Sequence, residues 1–348
     1  MSEEVKENTT NELRKDKLCI GLDVGTMNII CARSDSSDVN LSRNVFLKLD
    51  PEEVSISELS DISYIQSEDD NELFIIGEDA FRFSNIFGQT VSRPMESGLI
   101  SSKEIDAAEV LSLMITNLIG DVKNKDTYVS YSIPAESIDE NKSVTYHEKV
   151  FGRILDQIGA NYTSVNEAMA IIYSECANEN FSGIGISFGA GMTNISISYK
   201  GIQAAVFSTS RSGDWIDKNV ADSLNMVPNR VTSIKEKNLD LTTSFMKEKN
   251  KKKRRVLEAL EYYYGALIDY TVKKIIHEFD DRVDLEIDDE IPIVIAGGTS
   301  IPKGFLDLFK STVGKYDLPF EVSEIRRAKE PLLCVANGLL VKTISDIK

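Results

Sequence analysis

The chain has 348 residues, 42% of them hydrophobic, with 39 Lys and Arg against 56 Asp and Glu for a formal net charge of -17. Such a length and apolar content bury a substantial core and predict about two domains, whereas an acidic surface repels phosphates and excludes nucleic acid as the main partner. Two histidines and four scattered cysteines (Cys19, Cys31, Cys176 and Cys334) offer no zinc knot, redox pair or His-centred chemistry, so the cysteines read as reduced, buried thiols.

The opening MSEEVKENTTNELRKDK is polar and has no apolar stripe, which predicts a disordered tail over residues 1–17. It also lacks the apolar core of a signal peptide, and no run approaches the roughly 18 apolar residues of a spanning helix. The expectation is a cytoplasmic protein without a direct membrane anchor, since the final ISDIK is too short to be one. LCIGLDVGTMNIICARS then predicts two apolar strands joined by a turn at Asp23 to Asn28. From Val45 to Gln89 the mixed, acidic composition predicts short strands and one helix in a small insertion.

Val110, Leu111, Met114, Ile115 and Leu118 recur at helical spacing. TYVSYSIP reads as a strand stopped by Pro134, followed by a helix over about Asn141 to Gly159 with a glycine cap and another over Glu167 to Glu175. IGISFGAGMTNISI, from Ile184 to Ile197, repeats the early pattern of strand, small-residue turn and strand, and GIQAAVFSTS adds a third strand. Two similar halves predict a cleft between them. The basic run KEKNKKKRR, Lys247 to Arg255, is a solvated loop or helix start, or a contact for an acidic partner such as a second copy of the chain. The consecutive Tyr262 to Tyr264 cannot share one helix face and read as packing. EIPIVIAGGTSIPKGFLDLF closes the series with a strand, a glycine pair and a helix start, where backbone amides can approach a ligand closely.

Together, IGLDVGTMN, IGISFGAGMTN and IVIAGGTSIPKGF resemble the phosphate-one, phosphate-two and adenosine motifs of the actin, MreB and heat-shock-chaperone superfamily. SIPAESIDENKSVTYHEKV with VNEAMAIIYS is similar to its first connecting region, and EPLLCVANGLLV to its second, so the likeness runs in order over about 18–345. RPMESGLI, SGDWID and PAESIDENK resemble the bacterial actin-like proteins MreB and MamK most. The resemblance implies an α/β actin-like fold of two similar ribonuclease-H-like domains flanking a nucleotide cleft. Domain I would span 18–160 with an insertion near 45–90, domain II 161–335 with an insertion near 215–260, and a helix over 336–348 would return to domain I.

The same resemblance implies ATP or GTP with Mg2+ as the ligand. Asp23 would hold the hydrated metal, a task suited to a carboxylate because magnesium keeps several of its waters. Gly25, Thr26, Met27 and Asn28 would form the first phosphate loop, and Gly189, Ala190, Gly191, Met192 and Thr193 the second. Gly213 and Asp214 form the glycine-acid turn that follows, Lys235 and Glu236 in SIKEK would contact adenine and ribose, and Gly297, Gly298, Thr299 and Lys303 would complete the adenosine motif. Three positions depart from the family. Ser187 stands where the second loop carries an aspartate, Asn194 stands at the loop's last polar position, and the water-orienting residue falls on Asn141, next to Glu140. A serine can hydrogen-bond a water but cannot supply charge to a metal. Slow hydrolysis with intact nucleotide binding is the expectation, in a prokaryotic protein that self-associates into filaments for cell shape or the positioning of cargo. A non-polymerising regulator is the alternative. A small-molecule kinase is a weaker one, with Asp214 as its only obvious base.

Overall fold

The computed structural model describes residues 17–49, 62–67, 72–87, 91–122, 125–141, 143–282 and 287–347. The tail expected over 1–17 lies outside them apart from Lys17, as do 50–61, 68–71 and 88–90 of the expected insertion.

Strands β1 (Lys17–Val24) and β2 (Asn28–Arg33) form the first hairpin, with Asp23 opposite Ile30. Both are near-continuous apolar runs, which suits strands covered on two faces. Antiparallel β3 (Asn40–Arg43) extends the sheet beyond β2, and β9 (Asp126–Ile133) and β10 (Asn161–Asn166) extend it in parallel beyond β1, giving the order β10-β9-β1-β2-β3. The second half repeats this strand for strand. Here β11 (Gly183–Phe188), β12 (Thr193–Tyr199) and β13 (Ile202–Thr209) are antiparallel, and β14 (Ile291–Ala296) and β15 (Val322–Arg327) run parallel, in the order β13-β12-β11-β14-β15. The domain boundary expected at 160 falls just before β10, so the first sheet takes in residues up to Asn166.

In the first half a small sheet of β4 (Phe46–Leu49), β5 (Tyr64–Gln66) and β6 (Leu73–Ile76) leads into α1 (Gly77–Phe87). A two-stranded ribbon, β7 (Met95–Glu96) and β8 (Leu99–Ile100), precedes α2 (Ala107–Ile119). The expected apolar stripe of α2 is buried at Val110, Leu111, Met114 and Ile115, and α3 (Thr145–Ile158) stops at Gly159, whose left-handed backbone lets the chain turn back. In the second half α5 (Gly213–Leu224), α6 (Pro228–Asn238) and α7 (Lys251–Arg282) cover one core, closed by α8 (Phe305–Val313). Pro228 at the first position of α6 lacks only an N–H that would have no partner there. Of the three tyrosines, all read as packing, Tyr264 is fully buried whereas Tyr262 is 72% exposed and faces solvent. All four cysteines are buried free thiols.

Two helices join the halves. Helix α4 (Glu167–Glu175) packs on β11 and β12, and α9 (Cys334–Asp346) packs on β1, β9 and α4. Their crossing is backbone to backbone, since a Cβ on Gly338 would lie 1.8 Å from the Ala170 carbonyl oxygen, and α9 meets β1 as closely, where one on Gly21 would lie 2.1 Å from that of Ala336. Met169, Ala170, Val294, Ala296, Cys334 and Leu339 share the resulting cluster, so the seam between the sheets is a dry core.

Candidate functional site

The three glycine turns sit at the same end of the two sheets and meet. In the first, the Gly25 amide donates to the Asn28 carbonyl (2.9 Å); in the second, the Gly189 amide donates to that of Met192 (3.1 Å). Gly191 lies so close to the first turn that a Cβ would sit 2.4 Å from both the Gly98 nitrogen and Thr26 Oγ1. The third turn is fastened to the second, with Thr299 Oγ1 donating to the Gly189 carbonyl (2.6 Å) and Gly297 holding a φ of 89° against Phe188. Between them opens a cavity of about 620 Å³.

Most of the expected site residues line it: Asp23, Gly25, Thr26, Met27 and Asn28; Ser187, Gly189, Ala190, Gly191 and Met192; Lys235 and Glu236; Gly297, Gly298 and Thr299. Others stand behind the wall. Thr193 is buried and donates to the Arg211 carbonyl (2.9 Å), while the amides of Gly213 and Asp214 donate to the carbonyls of Gly189 and Ala190 at 3.2 and 2.8 Å. These residues set the second loop's shape without facing the cavity. The Asp214 carboxylate, the candidate kinase base, is held by Arg93 at 2.8 Å and does not line the cavity.

Three further expected residues also lie outside the cavity wall. Glu140 and Asn141 are exposed in the loop before α3, where the neighbouring Asp139 accepts from Ser137 Oγ, the Ser210 amide and the Tyr270 hydroxyl. Lys303 is turned outward by Gly304, whose φ is 86°, and faces Asp240 at 3.8 Å. In their place the structure brings in Glu167, the first residue of α4. Asn166 caps that helix by accepting from the amides of Ala168 and Met169, which fixes the start of α4 at the end of β10. The signal was an acid directly after an Asn cap at the strand-to-helix junction.

Asp23 and Glu167 therefore share the cavity. Asp23 accepts from Ser132 Oγ (2.8 Å), and Glu167 accepts from Asn194 Nδ2 (2.9 Å) and from the Ser187 hydroxyl. The Glu167 carboxyl is pushed up to about 8, first by burial and then by the Asp23 charge, against the opposing bonds from Asn194 and Ser187. Burial raises Asp23 to about 6, against the pull of Ser132. Two carboxylates in one desolvated space disfavour each other's ionised form, and a cation between them would restore it. Among the described residues no cluster of three or more His, Cys, Asp or Glu side chains is placed to hold a metal alone. Two carboxylates beside glycine turns do suit magnesium, which is usually bound through one or two carboxylates plus phosphate oxygens of a ligand.

At the other end of the cavity, Lys235 Nζ donates to Asp217 Oδ2 (2.8 Å) in a buried pair, and the Tyr264 hydroxyl is buried without a hydrogen-bond partner among the described residues. Glu236 takes both Nη atoms of Arg43, at 3.1 and 2.8 Å, so a bidentate clasp joins β3 of one half to α6 of the other.

Comparison with known proteins gives the fold its kin. A MamK double helical filament is similar over 93% of this chain and 98% of its own, at 16% identity and a TM-score of 0.69. MreB5 of Spiroplasma citri bound to ADP is similar over 95% and 98%, at 15% identity and a TM-score of 0.62. The ethanolamine utilization protein EutJ from Carboxydothermus hydrogenoformans follows over 97% and 96%, at 16% identity and a TM-score of 0.52. No curated protein matches the sequence. At such identities the likeness shows the fold, which is actin-like. The model of the Volactin family matches residues 18–343, a span that holds both sheets and all three turns, and the chain belongs to that family.

Proposed function

We propose that the chain is a nucleotide-dependent filament protein of the prokaryotic cytoplasm, serving cell shape or the positioning of cargo, which holds ATP or GTP with Mg2+ in the cavity between its halves and hydrolyses it slowly. What supports this is the convergence of three glycine turns on one cavity whose wall brings the buried acids Asp23 and Glu167 into one space. The MamK neighbour is a filament, and the MreB5 neighbours hold ADP or AMPPNP. A head-to-tail contact that does not close builds an open filament, and a ligand bound across a cleft can bias that contact through the angle between the halves.

The amides of the first two turns would receive the phosphates, and the unpartnered Tyr264 hydroxyl, near Lys235 and Glu236, would face the nucleoside. Magnesium, when bound, supplies positive charge to the phosphates and to both carboxylates. Asp23 would hold it through water, and Glu167, once ionised, would orient the attacking water and accept its proton. Ser187 and Asn194 both donate to Glu167, and hydrogen bonds to an ionised carboxylate lower its basicity, which favours slow turnover.

Pelleting and electron microscopy with ATP, GTP, ADP and no nucleotide test the assembly, with phosphate release read on the same samples. Filaments that depend on a nucleoside triphosphate and release phosphate slowly are the expected result. Rapid turnover by monomers would overturn the slow-hydrolysis part, and tight monomeric binding without filaments would favour the regulator.

A further inference from the structure

A second cavity, of about 940 Å³, lies on the far side of α6 from the first. Thr232, Lys235 and Glu236 of that helix line the first cavity, whereas Asn229, Arg230 and Ser233 line the second, together with the start of α7 and with Ser84 from α1 of the other half. Its charge is the reverse of the protein's: Arg230, Lys252, Lys253 and Arg255 line it, and none of its lining residues is acidic, in a chain of net charge -17. Lys253 pairs with Glu248 at 3.1 Å, but among the described residues Arg230, Lys252 and Arg255 make no ion pair.

A solvated basic face would need nothing more, but one further atom does. Asn229 is 5% exposed, lines this cavity, and its amide nitrogen Nδ2 is buried with no acceptor among the described residues. A buried donor without an acceptor is costly and rare in folded proteins. Asn229 stands in the first turn of α6, whose N-terminal end also favours negative charge. The start of α7 is already capped, since Asn250 Oδ1 accepts from the amides of Lys252 and Lys253, and the Lys252 side chain is without an ion pair among the described residues. Asn229, a helix N-terminus and cations from two helices converge on one space that no acidic residue lines.

We infer that the second cavity binds a small polyanion carrying two or more phosphoryl groups, with Asn229 and Arg230 on one side and Lys252 and Arg255 on the other. A single inorganic phosphate would meet too few of these groups in so large a space, whereas linked phosphoryl groups reach both helices and use the bidentate geometry of the two arginines. The site goes beyond the nucleotide function, because its residues are separate from the three turns.

Calorimetric titration of the full chain with sodium tripolyphosphate, without divalent cations and at low ionic strength, tests it. Saturable one-to-one binding is expected, with sodium sulfate at matched ionic strength failing to replace it. The surface pair Lys252→Gln with Arg255→Gln should weaken the affinity at least tenfold at unchanged circular dichroism, and Asn229→Asp, which puts a carboxylate where the anion would be received, should do the same. No binding by the parent chain at millimolar tripolyphosphate, or equal binding by the double variant, would overturn the site; the latter would place the anion in the first cavity. Assembly lost in the double variant, with no tripolyphosphate bound by the parent, would overturn it in favour of an acidic contact from a second copy. ATP binding with Mg2+, measured separately on the double variant, should match the parent. A failed nucleotide function would show as no ATP binding in either chain, whatever tripolyphosphate does.

Discussion

The two hairpins at the heart of the molecule use the same backbone and different chemistry. In the first, the penultimate residue of β1 is Asp23, paired across the hairpin with Ile30; in the second, the penultimate residue of β11 is Ser187, paired with Asn194. The first half thus presents its own acid, while the second presents a hydroxyl and an amide that both reach Glu167, an acid from α4. A duplicated scaffold fixes where turns lie but not which element delivers charge. The cavity reaches two carboxylates by an asymmetric route.

The largest break of this asymmetry is Glu167→Gln. With the proton acceptor removed, phosphate release should fall on the order of 100-fold or more, since positioned general bases contribute that much, while nucleotide titration stays within a few-fold of the parent. Equal losses in both would assign Glu167 to binding. Removing the acid of the first hairpin should act on affinity instead: with Asp23→Asn, Mg2+-dependent nucleotide affinity should weaken by roughly 10–100-fold, the scale seen when groups that support a metal are lost, and the metal-free affinity should change little. An unchanged Mg2+ dependence would remove the metal from Asp23.

Ser187→Asp makes the two hairpins alike. A third carboxylate should raise phosphate release several-fold with Mg2+ present, roughly 1 kcal/mol of barrier, and lower the melting temperature without it, because like charges then crowd one desolvated space. No gain in release would sever Ser187 from the slow turnover. The smallest effect is on pH. Burial raises both acids, to about 6 for Asp23 and about 8 for Glu167, so the folded protein binds more protons than the unfolded chain between the ordinary carboxylate range and those values. Stability of the metal-free protein is therefore lost as pH rises through that window. Its melting temperature should drop by roughly 2 °C from pH 6 to pH 8, and Mg2+ with nucleotide should flatten the slope. A rise over the same range would show that the two acids are ionised without a cation.

The glycine turns and Asp23 were legible in the sequence because each answers a local demand: the turns need residues without a Cβ where backbones crowd, as at Gly191 and Gly297, and Asp23 sits in such a turn. Glu167 was not, because its place depends on where β10 ends and on the cap at Asn166. The family resemblance assigned the water instead to Asn141, next to Glu140, which the structure leaves exposed in the loop before α3. Lys303 was misplaced for a smaller reason, since the left-handed Gly304 reverses the chain immediately after it.

The seam at Gly338 and the clasp at Arg43 lie in opposite kinds of surroundings. The seam is a contact of buried backbones with no charge in it, which ions in solution barely touch. The clasp is an Arg43 guanidinium only 13% exposed, shared by Glu236 of the other half at 37% and by Glu78 of its own half at 73%. Ionic strength screens exposed pairs over a length of about 8–10 Å and leaves dry packing alone. Added salt therefore weakens the outer pairing of the clasp while the crossing at Gly338 keeps its full packing.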